Sequence, residues 1–188
     1  AIVDRAVGIL QRELKSRGGI EAAIAADPAA DLILDIQPGM GDEGFRIEGK
    51  PRKPVTICGN DERGLLYGVG KFLHTCRFGA GKDQLSAWRG TSVPTGHVRG
   101  MYPAYNFKNW YVSAPREDVL RYCEELALWG FNSLAFVTAH HQHASMDAPE
   151  TPELRKTIDA NTKLMRSLRE VGFRIGVLST GNIGFSYG

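Results

Sequence analysis

The chain has 188 residues, 43% of them hydrophobic and 23% charged, and its 23 basic and 21 acidic side chains leave a net charge of +2. That length supports a real hydrophobic core, and that composition excludes a disordered chain and a small disulfide-stapled scaffold. No apolar run reaches bilayer-crossing length and no basic stripe or acidic tail stands out, so neither a membrane nor a nucleic acid is expected as partner.

Ala1 to Ser16 places Val3, Val7, Leu10 and Leu14 at helical spacing, and Arg17-Gly18-Gly19 closes the helix. After a turn around Asp27-Pro28, Asp31 to Ile36 reads as a strand. Gly44 to Gly49 and Pro54 to Gly59 read as two strands of a hairpin. A helix then begins near Asn60-Asp61, good capping residues, with Leu65, Leu66, Val69, Phe72 and Leu73 on one face. Its glycines, Gly64, Gly68 and Gly70, each cost up to about 1 kcal/mol relative to alanine. Their presence predicts a helix backbone pressed close to the sheet.

Residues 78–96 are rich in Gly, Ser, Thr and Pro, the composition of a connection. Beyond it the pattern becomes β-α-β-α-β: a strand over His97 to Phe107, a helix over Ser113 to Trp129, and an apolar strand over Asn132 to Ala139. A helix over Thr151 to Val171 and a strand over Phe173 to Ser179 follow. Ser113 is the expected cap of the first helix, with Val119, Tyr122, Leu126 and Trp129 on its buried face before Gly130. The second helix is expected to bury Leu154, Ile158, Met165 and Leu168 and to stop at Gly172. Leu134 to Val137 and Ile175 to Leu178 are apolar on both faces, as parallel strands covered by helices are.

Each strand-helix unit takes roughly thirty residues, and a closed eightfold barrel of such units needs about 250. The fold expected is therefore α/β: a small N-terminal α+β sandwich, a sheet with helices packed on it, followed by the first three strand-helix units of a TIM-type barrel. The boundaries are 1–80, a linker over 81–96, and 97–188 as the first part of a truncated (β/α)8 barrel. A complete, very small open α/β layer is the other possibility for the second half.

Gly44-Phe45-Arg46-Ile47, followed by the run from Asn60 to Leu73 that reads NDERGLLYGVGKFL, resembles the small N-terminal α/β domain of glycoside hydrolases of the family 20 hexosaminidase and family 67 α-glucuronidase type. Val98-Arg99-Gly100-Met101-Tyr102 and Leu126 to Leu134, LALWGFNSL, resemble the first barrel strand, the end of the first helix and the second strand of those enzymes. The resemblance spans nearly the whole chain. It implies hydrolysis of glycosidic bonds in an oligosaccharide or polysaccharide, without a cofactor, by a periplasmic or secreted enzyme, although no signal peptide is seen. Family 20 enzymes follow the Arg-Gly pair with an aspartate and a substrate-binding arginine, where this chain has Ala104 and Phe107. Family 67 enzymes carry Asn-Trp-Asp where this chain has Asn109-Trp110-Tyr111. The identity of the sugar is therefore not carried over.

Glycoside hydrolysis uses two carboxyl groups, or one that assists a substrate acetamide. In barrels of this type they lie on the fourth and later strands, so the catalytic residues are expected beyond this chain. Glu117, Asp118, Glu124 and Glu153 fall on predicted helices and read as solvated faces or caps. What the chain offers is pocket wall, because loops at the carboxyl ends of barrel strands face substrate. Tyr105, Asn106, Asn109 and Trp110 follow the first strand and suit a sugar, rings covering C–H faces and amides bonding hydroxyls. His140 and His141 follow the second strand and are read as hydrogen-bonding groups. With no carboxylate or cysteine at ligand spacing, a small metal-binding α/β enzyme using His140, His141 or His143 is the weaker third reading. Thr180 and Asn182 are weaker candidates after the third strand. Cys58, Cys76 and Cys123 form no CxxC pair and read as structural. A non-catalytic carbohydrate-binding or interaction module, complete as written, is the alternative function.

Overall fold

The computed structural model describes residues 1–25, 30–49, 54–79, 84–103, 109–137 and 151–178. They divide into two compact units, Ala1–His97 with Glu125–Gly130, and Val98–Glu124 with Phe131–Gly188.

The first unit opens with helix α1 (Ile2–Gly18), closed by Gly19 in the left-handed conformation at φ 64°. Strands β1 (Leu32–Ile36), β2 (Phe45–Glu48) and β3 (Val55–Gly59) lead to helix α2 (Glu62–Thr75). The expected hairpin forms: β2 and β3 pair antiparallel with Ile47 opposite Ile57, while β1 lies parallel to β3. A fourth strand, β4 (Gly90–Ser92), pairs antiparallel with β2 inside the segment expected to be a linker, giving the order β1-β3-β2-β4. Its three residues are all exposed, so no apolar alternation marked it.

Register puts Phe45, Ile47 and Ile57 on the sheet face beneath α2, where they are buried. The α2 residues Leu65, Leu66, Val69, Phe72 and Leu73 are each at no more than 1% exposure, each contributing roughly 2 kcal/mol by leaving water. Alpha-helix α1 packs on α2 through Ala6, Ile9, Leu10 and Leu14. The expected stripe was rotated from this one: Val3 and Val7 sit at its half-buried edge.

Asp61 caps α2, its Oδ1 accepting the Gly64 N–H at 2.9 Å. Its Oδ2 accepts the Glu43 N–H at 2.7 Å, and Asn60 Oδ1 accepts those of Gly39 and Met40. The two capping residues therefore also fold the 39–44 loop against the helix. A Cβ at Gly64 would collide with the Gly44 carbonyl, and one at Gly68 would stand 2.6 Å from Ile57 Cγ2. Gly68 bears out the expectation of a helix pressed to the sheet, while Gly64 is pressed to the loop that leads into β2. Gly70 differs, since its side faces the Leu128 backbone rather than a strand.

The second unit holds strands β5 (Gly100–Met101), β6 (Ser133–Val137) and β7 (Arg174–Leu178), parallel and in sequential order. Between them lie the short helix α3 (Trp110–Ser113), helix α4 (Arg116–Leu128) and helix α5 (Pro152–Glu170). Asn132, fully buried, joins the outer strands: its N–H donates to Arg99 O, its Oδ1 accepts the Arg99 N–H, and its carbonyl accepts the Arg174 N–H, all at 2.9 Å. Val119, Cys123, Leu134, Phe136, Leu164, Leu168, Val171 and Phe173 form the core.

Several expectations for this half are corrected. Ser113 ends α3 instead of capping α4, because Pro115 drives Ala114 into an extended conformation at ψ 150°. The buried face of α4 runs through Val119, Cys123 and Ala127, so Tyr122 and Trp129 emerge at 39% and 66% exposure. Glu124, expected on a solvated face, is 2% exposed. On α5 Leu164 and Leu168 are buried while Ile158 and Met165 are half-buried; the Leu154 side chain lies outside the described residues. Val177 on β7 is 58% exposed, so that strand is not covered on both faces here. Of the strand expected over His97 to Phe107, only Gly100–Met101 pairs, and 104–108 lie outside the described residues.

Candidate functional site

At the carboxyl end of β5, α3 carries Trp110 and Tyr111. Its single turn is held by bonds from the Val112 N–H to Asn109 O at 3.1 Å and from the Ala114 N–H to Trp110 O at 2.8 Å. Ser113 Oγ donates to the carbonyls of Asn109 and Trp110, and Arg116 Nη1 donates to Tyr111 O at 3.0 Å. Each of these bonds fixes the backbone from which the rings project.

Trp110, Tyr111 and Tyr122 then form a mutually packed trio. Trp110 meets Tyr111 edge-on at 5.4 Å and Tyr122 edge-on at 5.7 Å, while the two tyrosine centroids lie 5.9 Å apart. Such tilted contacts add roughly 0.5–1.5 kcal/mol each beyond burial and hold the rings in place. The Tyr122 hydroxyl points to Met101 Sδ at 3.7 Å, tying α4 to the end of β5. Trp110 remains 46% exposed, Tyr122 39% and the nearby-in-sequence Tyr102 42%. The arrangement offers fixed amphipathic rings to a ligand with apolar C–H faces and hydroxyls.

Of the sequence-predicted residues, Asn109 and Trp110 are adjacent at this place; Tyr105, Asn106, His140 and His141 lie outside the described residues, as do His143, Thr180 and Asn182. Tyr122 was missed, being read as core. The four-residue spacing of Val119, Cys123 and Ala127 was the signal that turns Tyr122 one position out of the buried face. Among the described residues no group of three His, Cys, Asp or Glu could hold a metal ion. The cysteines offer no nucleophile: burial pushes the Cys58 and Cys76 thiols up, and burial with Glu124 nearby pushes Cys123 up to about 12. No helix among the described residues is long and apolar enough to cross a membrane.

No family model and no curated protein matches the chain. Solved structures do. The family 20 β-N-acetylhexosaminidase of Streptomyces coelicolor A3(2) superposes with a TM-score of 0.73 at 18% identity, over 93% of this chain and 39% of that one. The family 20 chitobiase of Flavobacterium johnsoniae gives 0.65 at 18% identity, over 93% of this chain and 29% of that one. A family 138 enzyme targeting pectin rhamnogalacturonan II gives 0.63 at 14% identity, over 90% of this chain and 28% of that one. The chain thus spans well under half the length of the structures it matches, and what it shares with these glycoside hydrolases is a fold.

Proposed function

We propose that this chain is part of a glycoside hydrolase acting on an oligosaccharide or polysaccharide. Residues 1–80 would form its accessory α/β domain, 81–96 the connection that lends β4 to the sheet, and 97–188 the first three strand-helix units of a (β/α)8 barrel. The observation that carries the reading is the parallel order β5-β6-β7 with α4 and α5 in the crossovers, following an α/β sheet as in the superposed hydrolases. In such a barrel, substrate meets the carboxyl ends of the strands. Asn109 and Trp110 stand after β5, and by sequence Tyr105, Asn106, His140 and His141 follow β5 and β6; these residues are proposed as pocket wall, with Tyr111 and Tyr122 positioning Trp110.

Stacking of Trp110 on a sugar ring orients the glycosidic oxygen, and the acid and the nucleophile or base are carboxylates supplied by barrel strands outside this chain. Water is the only co-reactant. The superposed enzymes differ in substrate, and Ala104 and Phe107 replace the polar pair of family 20, so the proposal stops at glycosidic bonds.

The test is turnover on a panel of aryl glycosides, comparing the 188-residue chain with the chain joined to the sequence that follows it in its gene. Turnover by the longer protein alone is expected. Turnover by the 188 residues would overturn the placement of the carboxylates, and inactivity of both on aryl and natural glycans would favour a carbohydrate-binding module.

A further inference from the structure

Trp129 follows the last residue of α4, where Gly130 at φ 91° turns the chain and leaves the indole 66% exposed. The ring is nevertheless fixed. His74, in the last turn of α2, stacks on one face at 4.0 Å between centroids with 20° between the planes. Glu125 Oε1 accepts the Trp129 Nε1–H at 3.0 Å and is hydrogen-bonded to His74 Nε2 at 2.8 Å. One oxygen thus sets the indole edge and the imidazole beneath it, all within the first compact unit. With one face stacked the indole is still 66% exposed, and beside it Glu125 is 53% exposed at its side chain.

A stable protein interface buries roughly 800 Å² on each partner and inserts several apolar anchors. A single immobilised indole with a carboxylate at its rim is instead the size and polarity of one sugar ring, whose axial C–H groups cover the aromatic face while a hydroxyl donates to the carboxylate. We propose that Trp129, His74 and Glu125 form a second sugar-stacking platform, separate from Trp110, that takes one pyranose ring of an oligo- or polysaccharide chain. It rests on the glycoside-hydrolase reading and adds to it a second hold on substrate. His74 is the positioning residue, and Glu125 both positions the ring and bonds the sugar.

The chain contains three tryptophans, so its ¹⁵N spectrum shows three indole N–H signals, assignable by Trp88→Phe, Trp110→Phe and Trp129→Phe. Titration of the intact chain with chitotriose, cellotriose and xylotriose is expected to move the Trp129 signal saturably for at least one of them, with Kd on the order of 1 mM. Trp129→Ala, at an exposed position, is expected to lower that affinity at least about tenfold without changing the circular dichroism, and Glu125→Ala about threefold. Trp110→Phe is expected to leave the Trp129 response in place. A Trp129 signal silent to all three sugars while Trp110 responds overturns the platform and spares the functional reading. Silence of both removes both.

Discussion

Replacing Gly64 by alanine separates helix propensity from tertiary packing, because the two predict opposite signs. In an isolated helix the change gains about 1 kcal/mol. In α2 the new methyl would overlap the Gly44 carbonyl oxygen and lie 3.0 Å from its carbon and 3.2 Å from that of Glu43. These are backbone atoms, and their loop cannot easily retreat: Glu43 sits at φ 57° with its N–H on Asp61, and Gly44 O holds the Asn60 N–H at 2.8 Å. Overpacking at the upper end of its usual range costs about 3 kcal/mol. Weakening the Asn60 bond costs about 1 more. After the propensity gain, Gly64→Ala is expected to lose about 3 kcal/mol, or roughly 6–12 °C in Tm for a chain of this size. The matched control is Gly8→Ala in α1, where a Cβ meets nothing within 4 Å and a gain of about 0.5–1 kcal/mol is expected. The assay is urea unfolding followed by circular dichroism, with only transitions of equal m-value compared. A Gly64→Ala protein as stable as wild type, or stabilised like Gly8→Ala, would refute the close approach of α2 to the 39–44 loop.

Other outcomes follow from the same packing. Gly70→Ala, which meets the Leu128 backbone, is expected to cost as much as Gly64→Ala, and Gly68→Ala less, since its nearest neighbour is the Ile57 methyl; denaturation midpoints rank the three. Asp61→Ala removes the α2 cap and the Glu43 anchor and is expected to cost about 2 kcal/mol, about half of it restored in Asp61→Asn, whose single amide oxygen can accept one of the two N–H groups. Asn132→Ala removes a fully buried side chain and leaves the half-buried Arg99 N–H without its side-chain acceptor, and is expected to cost about 2 kcal/mol by the same measurement. Cys123 has its pKa raised from 9.0 to about 12, so between those values the unfolded chain loses a proton that the folded one keeps. Stability attributable to Cys123 is therefore full below pH 9.0 and falls as pH rises toward 12, and Cys123→Ala is expected to flatten the decline in urea midpoint over that window.

How far the sequence foretold this follows from where the signals lie. Alpha-helix α2 was readable because its cap, its apolar stripe and its costly glycines agree, the glycines answering to close approaches by a loop, the sheet and the Leu128 backbone. Strand β4 was not, since an exposed three-residue edge strand has no burial to impose a pattern. The faces of α1 and α4 were off by about one position, where small buried residues, Ala6, Cys123 and Ala127, do the packing and larger ones such as Tyr122 and Trp129 stay in solvent. Counting large apolar side chains favours the wrong edge in such helices. That displacement hid Tyr122 from the aromatic trio and Trp129 from the His74 stack, whereas Asn109 and Trp110 were proposed as site residues from residue chemistry alone. The β-α-β-α-β order was legible because Gly130 and Gly172 end both helices at positive φ.

The α3 segment after β5 is proposed to touch sugar in a glycoside hydrolase, and the effect of Trp110→Ala on kcat/KM for a glycoside that the longer protein cleaves tests this without intermediary. Trp110 is half-exposed, so the fold is expected to survive the change, with circular dichroism unaltered. A fall in kcat/KM of about tenfold or more is expected, near 1.4 kcal/mol of lost transition-state binding. An unchanged kcat/KM would contradict it.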